Sequence, residues 1–94
     1  MAIDIEICLT RISAKTPLVA LAEVTLRYFD HAIKIRRCAV FEKAGQRPWA
    51  ILPHLSIEKS GNRAHVPLIE LPTALRKRVL HEILKEFEKQ RGSL

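Results

Sequence analysis

The stretch Pro72-Thr73-Ala74-Leu75-Arg76-Lys77-Arg78-Val79-Leu80-His81-Glu82-Ile83-Leu84-Lys85-Glu86-Phe87 decides how the chain folds. Leu75, Val79, Leu80, Ile83, Leu84 and Phe87 recur every three or four residues, so they share one face of an α-helix. Pro72 starts the element, Thr73 suits the N-cap, and Gly92 suits the position just past the end. One apolar stripe needs an apolar surface to cover it. The residues upstream supply that surface as strands.

Ile3, Ile5, Ile7 and Leu9 alternate with Asp4, Glu6, Cys8 and Thr10, the period of a strand with one buried face. Ser13 to Pro17 reads as a turn. Leu18 to Phe29 resumes the alternation as a long strand, although its Ala and Glu content leaves a helix open. Asp30-His31 is a tight connection. Ala32 to Phe41 reads as a third strand with Ile33 and Ile35 inward and Lys34 and Arg36 outward. Arg37 then falls on the apolar side, which predicts a bulge or a strand end there. Glu42 to Pro48 is a loop, and Trp49 to Leu52 a short strand stopped by Pro53. Glu58 to Arg63 reads as a hairpin turn, and Ala64 to Val66 as a brief strand. The expected architecture is α+β: a small, mainly antiparallel sheet of about five strands with one C-terminal helix packed on it.

Ninety-four residues suit a single domain spanning 1–94, and 48% hydrophobic content is that of a globular chain. So small a domain buries a modest core, which makes oligomerisation a natural way to bury more. No apolar run approaches the roughly 20 residues of a membrane helix. The alternating start carries no basic leader, so a cytoplasmic protein without membrane contact is expected. Cys8 and Cys38 have no metal-ligand spacing, and no metal or other cofactor is expected. His31, His54, His65 and His81 form no HExxH motif, and neither paired carboxylates nor a nucleophile elbow is present. No catalytic residue and no small-molecule substrate are expected.

The formal net charge of +6 is placed unevenly. Lys34, Arg36, Arg37, Lys43 and Arg47 face Glu42 alone, and Lys59, Arg63, Arg76, Lys77 and Arg78 face Glu70 alone. From Val79 to Arg91 three acids balance three bases. Bases at a helix start oppose the helix dipole by about 0.3–1 kcal/mol each. Arg78 can offset this through Glu82, four residues on, whereas Arg76 and Lys77 have no acid at that spacing. An anion docked on the first turn reverses the sign of the effect. Lys34, Arg36, Arg37, Arg47, Lys59, Arg63, Arg76, Lys77 and Arg78 are therefore the candidate nucleic-acid contacts. Tyr28, Phe29, Phe41, Trp49 and Phe87 do not interleave with these bases, so backbone-dominated binding fits better than base stacking. Trp49 reads as a core or interface residue. The rival reading is a non-catalytic interaction module whose basic face or strand edge docks an acidic protein.

Ile35-Arg36, then Trp49-Ala50-Ile51-Leu52-Pro53, then a turn leading to Ala64-His65-Val66-Pro67, then a helix closing on Leu84 and Phe87, resemble the stage V sporulation protein G (SpoVG) family of septation regulators. The opening strand with Leu9-Thr10-Arg11 and the strand from Leu18 to Leu26 extend the likeness to roughly residues 5–88. The resemblance implies a β-sheet with a C-terminal helix, a homodimer formed by strand pairing, and a regulator that binds DNA and in some members RNA. The family is basic after the proline. Here that position reads His54-Leu55-Ser56-Ile57, a departure that leaves Lys59 and Arg63 as the nearest bases. The loop before Trp49 is longer and more basic here, with Lys43 and Arg47 in place to compensate. The first helical turn, polar or basic in the family, matches Arg76, Lys77 and Arg78.

Overall fold

The computed structural model describes residues 3–12 and 17–92, with the side chains of Lys59 and Arg91 left aside. The turn expected over Ser13–Pro17 lies outside the described residues except for Pro17. Six strands precede one helix: β1 (Asp4–Arg11), β2 (Leu18–Tyr28), β3 (His31–Phe41), β4 (Trp49–Ile51), β5 (His54–Lys59), β6 (Asn62–Pro67) and α1 (Thr73–Gly92). The fold is α+β, with two antiparallel sheets where about five strands in one were expected. The larger sheet has the order β1-β2-β3-β4, and β5-β6 is a separate two-stranded ribbon. Pro53 is the physical reason. It lacks an N–H for a ladder and closes β4 after three residues. The chain then leaves the sheet and pairs with itself, from His54↔Pro67 to Lys59↔Asn62.

The ribbon turns on Ser60-Gly61, with φ of 53° and 79°. Two consecutive left-handed residues make a type I′ turn, which matches the twist of the flanking strands. The turn is thus two residues long rather than six. Between β2 and β3 the turn is Phe29-Asp30, one residue earlier than expected, with Phe29 at φ 55°.

The irregularity expected at Arg37 is a β-bulge. Ala22 pairs with Cys38 and Val24 with Ile35, so Glu23 opposes both Arg36 and Arg37. Arg37 takes φ 67°, which re-aims the strand. Ile35 before the bulge and Cys38 and Val40 after it then all face inward and are buried.

The inner face of the larger sheet carries Ala20, Ala22, Val24, Leu26, Ile35, Cys38 and Val40, with Ile5, Ile7 and Leu9 of β1 packed at the side. Helix α1 covers it with Val79, Ile83 and Phe87, all essentially inaccessible to solvent. Arg78 Nη2 donates to the Ile3 carbonyl at 3.1 Å, and the Arg11 guanidinium lies 5.2 Å from the centre of the Phe87 ring. The helix therefore runs parallel to β1. Its first backbone bond runs from Arg76 N–H to the Pro72 carbonyl at 2.8 Å. Pro72 thus holds the N-cap place and Thr73 is already helical, a one-residue correction. Gly92 lies within the helix and not beyond it. No helix among the described residues is long and apolar enough to cross a membrane.

Truncating the stripe tests this packing. Ile83→Ala should lower the stability measured by urea unfolding by about 2–5 kcal/mol and Phe87→Ala by about 3–5 kcal/mol. Cys38 gives a second check. Burial pushes its thiol up to about 11, whereas an unfolded thiol ionises near about 8.5. The folded state then holds that proton more tightly, so this contribution is complete below the unfolded value and is lost as pH rises from there towards 11. Urea unfolding at a series of pH values should show this alkaline loss in the wild type and a shallower one in Cys38→Ala.

Candidate nucleic-acid interface

Strand alternation puts Lys34 and Arg36 on the face of the larger sheet that the helix does not cover. Glu23 of β2 stands between them. Lys34 Nζ is 3.5 Å from Glu23 Oε1, and Arg36 Nε is 3.7 Å from Glu23 Oε2. Arg37 joins them because the bulge turns it outward, and with Arg36, Glu23 and Cys8 it borders a shallow cavity of about 170 Å³. One strand over, Arg27 Nε donates to Glu6 Oε1 at 2.9 Å. That hydrogen bond, with the carboxylate's charge, raises the Arg27 pKa above its ordinary value. The open face is therefore basic, but two carboxylates already occupy part of its charge.

The helix start is different. Arg76, Lys77 and Arg78 are all exposed, and the first turn contains no acid. Successive helical residues diverge by about 100°, so the three fan around the turn. Arg78 reaches the β1 side and the Ile3 carbonyl, where a pairing with Glu82 was expected. Arg76 and Lys77 have no ion pair among the described residues.

The remaining candidates lie apart from both groups. Arg47 is exposed in the β3–β4 loop, whose turn is set by Gly45 at φ 80°. Arg63 sits near the ribbon tip opposite Glu58, and the Lys59 backbone ends β5 opposite Asn62. The nine residues thus do not make one surface. Lys34, Arg36 and Arg37 share the open sheet face. Arg76, Lys77 and Arg78 belong to the helical layer on the other face.

Two features escape a linear reading. Phe41 and Trp49 stack at 5.7 Å on the open face, and Trp49 is exposed and not in the core. A larger cavity, of about 610 Å³, lies where β4, the ribbon base and the helix start converge. Leu52, Leu71 and Leu80 give it an apolar floor, and Arg76 lies in its wall. His54, His65 and Glu70 supply its other polar groups. The signal available in the sequence was the alternation His54-Leu55-Ser56-Ile57, which places His54 and Ser56 on one face of a strand. No protein-family model matches the chain, and no curated protein or solved structure was found similar to it.

Proposed function

We propose that this chain is a non-catalytic, nucleic-acid-binding regulator of the SpoVG kind that works as a homodimer. The observation that carries the reading is the first turn of α1: three exposed bases, no acid in the turn, and no ion pair on Arg76 or Lys77 among the described residues. A phosphate docked there accepts hydrogen bonds from the guanidinium groups and meets the positive end of the helix dipole. The cations that oppose the dipole in the free protein then cooperate with it. Lys34, Arg36 and Arg37 offer a second phosphate contact on the open face, and Arg47, Lys59 and Arg63 extend the positive field.

Support for the dimer comes from the ribbon. Leu55↔Val66 and Ile57↔Ala64 pair on one side of it. Leu55 is 51% exposed, Ile57 41% and Val66 40%. A two-stranded hairpin alone is marginal in water, and both of its edges are unpaired among the described residues. A second copy supplies the same apolar face and a complementary edge, so the contact closes on itself.

Binding should be steeply salt-dependent, log K against log salt falling by about 0.9 per duplex phosphate contacted. Replacing Arg76, Lys77 and Arg78 with Ala should weaken duplex binding and flatten that slope by about 2–3. A gel-shift or anisotropy titration at several salt concentrations reads both effects. Unchanged affinity would make the helix start ordinary surface. Light scattering should give twice the chain mass for the wild type and the chain mass for Ile57→Asp/Val66→Asp, with the far-ultraviolet spectrum of α1 retained.

A further inference from the structure

Phosphate binding leaves the cavity beside the helix start unexplained. Its volume of about 610 Å³ falls in the range of small-ligand sites. Its polar groups are of three kinds and converge from three segments: His54 and His65 from the ribbon base, Glu70 from the segment before the helix, and Arg76 from the helix itself. The two imidazoles pack edge to face at 5.1 Å. Ser56 Oγ lies 3.2 Å from His65 Nδ1 and holds that ring in place. A purely structural apolar gap has no need of two oriented rings, an acceptor and a donor at its rim.

We propose that this cavity receives one unpaired nucleobase of a bound single strand, RNA or DNA. The inference rests on the nucleic-acid reading above and narrows it to strands that can present a free base. The base lies between the leucine floor and the face of one imidazole, which serves as a stacking partner in the same way as a larger aromatic ring, while the second imidazole braces the first edge to face. The Glu70 carboxylate only accepts, so it takes ring N–H and amino donors from the base edge. Arg76 only donates and holds the flanking phosphate, which links the cavity to the basic turn. A duplex cannot use the site, because its base edges are paired and its ring faces stacked. An acyl chain would fill the floor but give the Glu70 carboxylate no donor. Counting only Phe, Tyr and Trp hides this site, because its rings are histidines.

The test compares a short mixed-sequence strand with its blunt duplex by fluorescence anisotropy. It uses wild type, His54→Ala/His65→Ala and His54→Phe/His65→Phe, each checked for an unchanged thermal midpoint. The Ala pair should weaken single-strand binding about tenfold, leave duplex affinity within about twofold, and leave the salt slope unaltered. The Phe pair should restore single-strand affinity. The proposal is overturned if the Ala pair leaves single-strand binding unchanged, if both substrates weaken together, or if Phe fails to rescue. A wild type that binds neither substrate at low salt would instead remove the nucleic-acid reading itself, and the base site with it.

Discussion

The burial of Val79, Ile83 and Phe87 against the inner sheet face is the contact on which everything else depends. Ala20 and Ala22, small and inaccessible in the first half of β2, keep that face low enough for the helix to lie across it. With Ile83 and Phe87 seated, the helix axis is fixed parallel to β1, Arg78 reaches Ile3, and Arg11 lies over Phe87. The same seating brings Leu80 and Arg76 beside the end of β4, where the ribbon departs. The ribbon has no comparable anchor. It is tied at its base by the Leu68 N–H to Pro53 carbonyl bond of 3.0 Å, and its apolar side remains exposed. The protein thus has one firmly packed layer pair and one appended element whose surroundings are set by the helix.

The bulge is the second constraint, and it is subordinate to the first. A regular strand from Ile33 to Phe41 would place Arg37 among the core residues and turn Cys38 and Val40 outward. Burying an unpaired guanidinium is far costlier than a left-handed backbone, which for a non-glycine residue costs about 1–3 kcal/mol. The chain takes the smaller cost at Arg37. In return it keeps both halves of β3 in register with the core and gathers Lys34, Arg36 and Arg37 on the open face.

Periodicity made β1 to β4 and the helix legible, because each buries one face and shows it as a repeat of two or three to four residues. The bulge was legible too, since Arg37 breaks that repeat. β5 was not, because its alternation has no buried side to interpret: Leu55 and Ile57 remain exposed. The N-cap was misplaced by one residue because Thr73 is the better capping side chain, yet the hydrogen bond begins at the Pro72 carbonyl. The charge runs were visible as runs, but a run does not say which face it occupies. The helix trio and the sheet trio prove to lie on opposite faces of the larger sheet. The cavity draws on residues from Ala50 to Leu80, so only the tertiary fold assembles it.

The two basic groups are not equivalent as anion sites, and the reason is Glu23. Lys34 and Arg36 both lie within 4 Å of its carboxylate, so a phosphate arriving on the open face must displace an existing partner. The net gain is the difference between two similar charge-assisted contacts, each already weakened by solvent. At the helix start Arg76 and Lys77 have no ion pair among the described residues to give up. There the helix dipole, which disfavours these bases in the free protein, favours the anion when it arrives. Phosphate affinity should therefore concentrate on the helical layer, with the open sheet face contributing long-range attraction that salt screens first. In the proposed reading, that ranking also puts the strongest phosphate contact beside the cavity of about 610 Å³, in whose wall Arg76 lies. Under the proposed base-site reading, a strand held there by its backbone needs to turn out a single base to fill it.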